Sequence, residues 1–379
     1  MRVLIISLWF YPERSGSPRQ SWVLAQGLAQ RGVAVSAVTA QRPGLAARET
    51  VAGIPIHRIW ARGGAGFARA GSRASYADAF AFMLALFVFL CAHAREFDIL
   101  HVQQGLFPAV SAVLAALCFR KRCVITFSGT GISGNIAQLT RRWFNRLTVP
   151  ILRRAAAFIV LTAEGQTEIV GAGFDPARTH IIPNGIDLAA FPMPTQPVAA
   201  PIIAHVARMT YEKDHATLVR ALARMAHRDA HVQFAGDGPE RARIEQLARE
   251  LGVHTRAHLL GETDRVAQVL ANARVFVLPS LGEGMSLALL EAMATGLPCV
   301  VSDIPANRAL IQDDANGLIF HTGDADDLAR CLDRVLSDTA LARRLGVAAR
   351  QTVAAQYTVD RFIERHLALY RALTSGAAQ

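Results

Sequence analysis

The chain predicts an α/β protein of two domains, each Rossmann-like and built on a parallel sheet. Three observations lead there. Short apolar runs alternate with helical stretches from residue 2, and the alternation restarts at residue 202. The two series are separated by a stretch from about Leu188 to Ala200 that carries prolines at 192, 194 and 197. A length of 379 residues suits two ordinary domains.

Composition agrees. An apolar content of 52% with 18% charged residues supports large cores. Five cysteines, at 91, 118, 123, 299 and 331, are odd in number. They form no C-x-x-C and no Cys/His ligand spacing, so they read as buried free thiols in a reducing compartment. The net charge of +10 is uneven. Residues 1–190 hold 20 basic and 9 acidic side chains, whereas residues 191–379 hold 20 and 21. The basic half points to an anionic partner: membrane headgroups, a lipid-linked phosphate or nucleic acid. It contains no recognisable nucleic-acid motif and no basic–aromatic repeat, so nucleic acid is not the expected partner.

The first domain opens with an apolar run, Arg2 to Trp9. It is short, lacks a small-residue cleavage site and ends at Tyr11-Pro12, so it reads as a parallel strand and not a signal peptide. A helix from about Arg19 to Arg31 and a strand from Val33 to Val38 complete a βαβ opening. Gly16, in the intervening loop, can bring backbone close to a phosphate. Val51 to Trp60 reads as a strand, and residues 61–75 as a Gly/Arg-rich loop. Phe80 to Ala94 is strongly apolar but shorter than the ~20 residues that span a bilayer, so it reads as a packed core helix, with a membrane-dipping helix as the alternative. Phe97 to Val102 and Arg122 to Phe127 are strands, the second leading into Ser128-Gly129-Thr130-Gly131. Residues 138–155 mix Arg141, Arg142, Arg146, Arg153 and Arg154 with Trp143 and Phe144, and Pro150 interrupts any single long helix. Two readings stand: docking on an anionic membrane surface, or an arginine-solvated helix packed on its own domain. Ala156 to Leu161 is a strand, followed by a helix over 163–170, a strand over 180–182 and the turn Asn184-Gly185.

The second domain restarts with a strand at Ile202 to Val206. The loop beyond it holds Arg208 and Lys213, the latter one of only two lysines in the chain. An arginine fork and a compact ammonium in one loop suit a diphosphate. His231 to Ala235 is a strand. The following Gly236-Asp237-Gly238 is not a dinucleotide fingerprint, since G-x-G-x-x-G is incomplete. Leu259-Leu260-Gly261 starts a loop, and Val275 to Leu278 is a strand. Cys299 to Val301 is another. Asp324-Ala325-Asp326 is formally D-x-D, but it precedes a helix at Leu328 to Val335 and reads as a cap, so no metal site is expected. Helices near 340–354 and 359–373 close the chain.

The densest chemistry lies in residues 279–303. Gly282 and Gly284 flank Glu283 and allow a tight turn. A helix from near Ser286 to Ala294 is apolar nearly all round, hence buried, yet carries Glu291 in its middle. A buried carboxylate needs a polar partner. The amides of Met285, Ser286 and Leu287 at the helix start form an anion site. Glu291 lies about five residues on, roughly 7 Å of rise, which is the reach from a diphosphate to its ribose. Glu283 then lies on the far side of the phosphates, where a donor sugar belongs.

The run Glu283-Gly-Met-Ser-Leu-Ala-Leu-Leu-Glu291 resembles the E-x7-E motif of retaining glycosyltransferases of the GT-B fold, glycosyltransferase family 4. The preceding Pro279-Ser280, the Glu-Ala-Met-Ala-Thr-Gly-Leu-Pro continuation, Ser302-Asp303 and Ile182-Pro-Asn-Gly-Ile-Asp187 match the family pattern too. The resemblance implies two Rossmann-like parallel-sheet domains facing across a cleft. Residues 1–188 take the acceptor and 189–358 the nucleotide-sugar donor, with helix 359–379 packing back on the first. It implies that Arg208 and Lys213 neutralise the donor diphosphate with the Gly284–Leu287 turn, that Glu283 positions the sugar and that Glu291 holds the ribose. Leu260 belongs to the loop that holds the base. Gly16, on the diphosphate, with Ser128, Gly129 and Asn184 on the acceptor side, are the residues of the first domain. The chain departs from the family in two places: Ser17 stands for the second glycine of a Gly-Gly pair, and Ser128 for a common His. No general base is therefore assigned. The implied activity is retaining transfer of a sugar from a nucleotide-diphosphate sugar to a glycan or lipid-linked acceptor, in cell-surface polysaccharide or glycolipid synthesis. It implies neither metal nor separate cofactor, and a cytoplasmic site, peripheral on the inner face of the membrane. Epimerase or phosphorylase chemistry on the same fold, and a basic nucleic-acid-binding protein, are the alternatives.

Overall fold

A computed structural model describes residues 1–13, 16–60, 73–104, 107–129, 145–194, 198 and 200–375. The chain divides into two compact units, Met1–Gly185 with Val359–Gln379, and Ile186–Thr358.

In the first unit the elements run β1 (Arg2–Ile6), α1 (Gly16–Gln30), β2 (Ala34–Ala40), β3 (Arg48–Val51), β4 (Ile54–Ile59), α2 (Arg73–Ala92), β5 (Ile99–Gln103) and α3 (Phe107–Cys118). They continue β6 (Arg122–Phe127), α4 (Asn145–Leu152), β7 (Ala157–Val160), α5 (Ala163–Gly171) and β8 (Thr179–Ile181). The strands form one sheet in the order β3-β4-β2-β1-β5-β6-β7-β8, parallel except for β3 on β4. Buried residues sort by sheet face. Phe82, Leu86 and Leu90 of α2 pack with Val110 and Val113 of α3 and Leu152 of α4 on one face. Leu24 and Leu28 of α1 pack with Ile363, Leu367 and Tyr370 of the last helix on the other. A Cβ on Gly27 would lie 2.5 Å from Ile363 Cγ1, so glycine is what lets these two helices approach.

In the second unit the order is β9 (Ile202–Val206), α6 (His215–Arg224), β10 (His231–Ala235), α7 (Arg241–Glu250), β11 (Ala257–Gly261), α8 (Val266–Ala271), β12 (Val275–Leu278) and α9 (Leu287–Thr295). Then come β13 (Cys299–Ser302), α10 (Pro305–Arg308), β14 (Leu318–Phe320), α11 (Ala325–Ser337) and α12 (Thr339–Gln356). The last helix of the chain, α13 (Val359–Ser375), belongs to the first unit. The second sheet is parallel, in the order β11-β10-β9-β12-β13-β14. Asp324 caps α11, its carboxylate accepting from the amides of Asp326 and Asp327.

Several expectations change. Val51 to Trp60 is not one strand: Ala52 and Gly53, with φ of 49° and 78°, turn the chain between β3 and β4 in the left-handed pair that two-residue hairpins require. Helix α3, unbroken by polar residues from Ala112 to Cys118, gave no amphipathic signal and escaped the sequence reading. Leu259-Leu260-Gly261 lies in edge strand β11, not in a loop. Pro150 sits inside α4, which ends two residues later. Cys123, Cys299 and Cys331 are buried, but Cys91 is half-buried and Cys118 exposed. Helix α2 is buried on one side only. The loop expected over 61–75 ends earlier, since α2 begins at Arg73, and residues 61–72, Thr130, Gly131, Arg141, Arg142, Trp143, Phe144 and Pro197 lie outside the described residues. Among the described residues no helix is long and apolar enough to cross a membrane.

Candidate active site

In the second unit, parallel order sends the loops after β9, β10, β12 and β13 from the carboxyl ends of neighbouring strands, where α/β sheets place their ligands. The loop after β9 runs Ala207–Asp214. Its path depends on two glycines of the loop after β10. A Cβ on Gly236 would meet the Ala207 carbonyl oxygen at 2.0 Å, and one on Gly238 the Met209 carbonyl oxygen at 2.3 Å. The Met209 amide donates to the Asp237 carbonyl at 2.8 Å. Gly236-x-Gly238 is thus a packing device for the Arg208 loop, the signal that sequence reading noticed without assigning. Met209 is fully buried and Arg208 exposed, so an apolar anchor presents the guanidinium outward. A short 3-10 turn, Tyr211–Lys213, follows. Asp214, at φ 43°, caps α6.

The loop after β12 is fixed from below. Ser302 Oγ donates to the Ser280 carbonyl at 2.5 Å, and Asn307 Nδ2 donates to Ser302 Oγ at 3.1 Å. The Leu281 amide donates to the Glu212 carbonyl at 2.8 Å, which joins this loop to the 3-10 turn. The join brings Lys213 Nζ to 2.5 Å from Glu283 Oε1, although 70 residues separate them. Ser280 Oγ donates to the same carboxylate oxygen at 2.8 Å. Glu283 is nearly buried, its side chain 8% exposed.

Helix α9 begins one residue later than expected. Ser286 is the N-cap, its Oγ accepting from the Leu289 amide at 3.3 Å, and Leu287 is the first helical residue. Gly284, Met285 and Ser286 therefore form the approach to the helix, and its open N-terminal amides start at Leu287. Gly296, at φ 77°, closes the helix. Glu291 is 3% exposed in the middle of α9, as the apolar run implied. Leu260 is exposed on β11.

Two histidines floor the Arg208–Lys213 loop. His205 of β9 is buried and its Nδ1 lies 2.9 Å from the Val277 carbonyl. His215, first in α6, meets it edge-on with ring centroids 4.5 Å apart. Burial pushes the His205 imidazole down to about 4, against the opposing pull of the Val277 carbonyl. Burial, then His205 and Lys213, push His215 down to about 2. Both are neutral at pH 7 and add no charge beneath the cations.

In the first unit the sequence-singled residues lie at element ends and connections, with Gly16 in a helix and not in the expected loop. Gly16, at φ 49°, is the first residue of α1. Ser128 and Gly129 follow β6. Asn184 is buried, in an irregular connection after β8 and not in the expected turn. Gln20 of α1, which sequence reading missed, holds that connection: its Nε2 donates to the Gly185 carbonyl at 3.1 Å and its Oε1 accepts the Gly185 amide at 3.3 Å. His101 is not placed for proton transfer. It is fully buried, with Nε2 2.7 Å from Thr126 Oγ1 and Nδ1 2.5 Å from Tyr370 Oη, and burial holds its imidazole well below the usual range. Among the described residues no group of three or more His, Cys, Asp or Glu is arranged to hold a metal.

Comparison with known proteins adds the family. Residues 193–352 match the model for glycosyl transferases group 1, and residues 15–185 that for the glycosyl transferase 4-like domain. The chain is 35% identical over 180 residues to the putative glycosyltransferase EpsF of Bacillus subtilis, covering 42% of this chain and 47% of EpsF. It is 31% identical over 173 residues to the lipopolysaccharide core biosynthesis glycosyltransferase LpsE of Rhizobium meliloti, covering 46% and 50%. The chain spans about half the length of these curated relatives. The crystal structure of Anabaena Alr3699/HepE in complex with UDP and glucose superposes with a TM-score of 0.80 at 19% identity, over 98% of this chain and 100% of that one. That likeness fixes the fold as GT-B.

Proposed function

We propose, from the premise that this chain belongs to the group 1 family of GT-B glycosyltransferases, that it moves a sugar from a nucleotide-diphosphate sugar to a glycan or lipid-linked acceptor with retention of anomeric configuration. The observation that carries the reading is the Lys213–Glu283 pair beside the start of α9. It puts a cation, a carboxylate and open helix amides within one loop cluster.

In this reading Arg208, Lys213 and the amides of Met285, Ser286 and Leu287 hold the diphosphate, where charge grows as the bond to the sugar breaks. Glu291 takes the ribose diol and Leu260 the base. Glu283, released by Lys213 as the diphosphate enters, turns to the sugar hydroxyls. Gly16 approaches the phosphates, and Ser128, Gly129 and Asn184 face the acceptor. The acceptor oxygen attacks the anomeric carbon on the face that the phosphate leaves. Its proton passes to the departing phosphate oxygen, so no protein base is required. The reading invokes no metal and no separate cofactor. LpsE, named for lipopolysaccharide core synthesis, supports a glycan or lipid-linked acceptor.

Thermal shift with UDP-, GDP- and ADP-sugars tests the donor, because a ligand of the folded state raises its stability. One nucleotide class is expected to raise the midpoint. Product NMR then reads the anomeric configuration. If no sugar nucleotide shifts the midpoint and none is turned over, the assignment fails.

A further inference from the structure

We propose that the outer face of α2 and α3 docks the Met1–Gly185 unit on the surface of an anionic lipid bilayer. Residues 79–95 contain no acidic side chain and, before Arg95, no charged one. Helix α2 buries Phe82, Leu86 and Leu90, which leaves its opposite side equally apolar. There Phe80, Leu84 and Val88 stand 68%, 57% and 59% exposed, in one stripe at four-residue spacing. Helix α3 packs beside α2 and adds exposed Leu114, Leu117 and, just past its end, Phe119. Contiguous large apolar side chains on adjacent helices mark a contact surface.

Charge selects the occupant. No Asp or Glu lies between Asp98 and Glu164, while the described side chains of that stretch include five basic ones, Arg120 and Lys121 directly after Phe119, Arg122, and Arg153 and Arg154 directly after α4. A second copy of the chain meeting this face across a two-fold axis would set like charges against each other. An anionic headgroup layer attracts them, and the stripe enters the acyl boundary without crossing it. No helix among the described residues is long and apolar enough to span. The inference is independent of the donor chemistry, whose residues other than Gly16 lie in the other unit.

The test is co-sedimentation of the full chain with phosphatidylglycerol–phosphatidylcholine vesicles against pure phosphatidylcholine vesicles. Binding to the first alone is expected, with release in ~0.5 M salt. Phe80→Ser/Leu84→Ser/Val88→Ser should lower partitioning by roughly tenfold or more. Arg120→Gln and Lys121→Gln should each lower it about fivefold. Sugar-nucleotide binding should be unchanged in all of these variants. Leu84→Trp keeps the proposal open to refutation if the triple variant misfolds, since its added indole emission should shift to the blue on anionic vesicles. The proposal is overturned if wild type ignores both vesicle types, if the triple variant binds like wild type, or if the added emission of Leu84→Trp does not move. It is also overturned if sedimentation velocity shows a dimer that the triple variant dissolves.

Discussion

Lys213 Nζ donates to Glu283 Oε1 across 2.5 Å, so the cation proposed for the donor phosphates is already satisfied by the carboxylate proposed for the donor sugar. Donor entry must exchange one partner for another. Glu283→Gln removes the competing charge. Affinity for the bare nucleoside diphosphate should rise roughly tenfold, about 1.4 kcal/mol, while transfer falls by more than that. Calorimetry with the diphosphate decides it: weaker binding in the variant means that Glu283 does not compete for Lys213.

Arg208 and Lys213 should separate in stability though not in activity. A charge-assisted hydrogen bond is worth about 1.5–3 kcal/mol, so either Ala variant should lose roughly tenfold or more in transfer. Arg208 is exposed and, among the described residues, makes no ion pair, so Arg208→Ala should melt like wild type. Lys213→Ala removes the cation from the nearly buried Glu283, which keeps the Ser280 hydroxyl, and should cost about 1–3 kcal/mol of stability. Wild-type turnover in either variant removes that residue from the site.

Glu291→Gln keeps shape and burial but removes the charged acceptor. Donor affinity should fall roughly tenfold with little change in melting. A large loss of stability with unchanged affinity would mean that the carboxylate serves the fold alone.

The His205–His215 floor sets an acid limit. Both imidazoles titrate below their ordinary 6.5 when folded. Between that value and the folded ones the unfolded chain binds more protons, so stability is complete above about pH 6.5 and declines as pH falls, by about 1.4 kcal/mol per pH unit for each such group. His215→Phe removes one titrating ring and keeps an aromatic against His205 and Phe234. Urea unfolding at pH 7 and pH 5 should show a smaller loss for the variant. An equal loss refutes the assignment.

Tyr370→Phe tests the return of the last helix. Its hydroxyl meets His101 Nδ1 at 2.5 Å inside the core, and burial raises the phenol well above its usual range. Removing it leaves a buried ring nitrogen without that partner and should cost about 1–3 kcal/mol. Unchanged denaturant midpoints would show that the contact contributes nothing.

What the sequence alone determined is local. Strands Ile202–Val206, His231–Ala235, Val275–Leu278 and Arg122–Phe127 could be read to the residue because buried parallel strands are short, mostly apolar runs with polar or turn-forming flanks. The spacing of Glu283 and Glu291 around a helix start likewise needs only helix rise and capping chemistry. Three kinds of feature waited for tertiary structure. Pairings such as Lys213 with Glu283, or Gln20 with Gly185, link residues 70 and 165 positions apart, and no local pattern encodes which distant loops meet. Gly236 and Gly238 looked like a broken fingerprint until the Ala207 and Met209 carbonyls showed what a Cβ would strike. The sides of α2 are equally apolar in sequence, so periodicity could not say which one the sheet covers. Only the packing of Phe82, Leu86 and Leu90 against α3 left Phe80, Leu84 and Val88 outside, because burial belongs to the surroundings of a residue and not to its type.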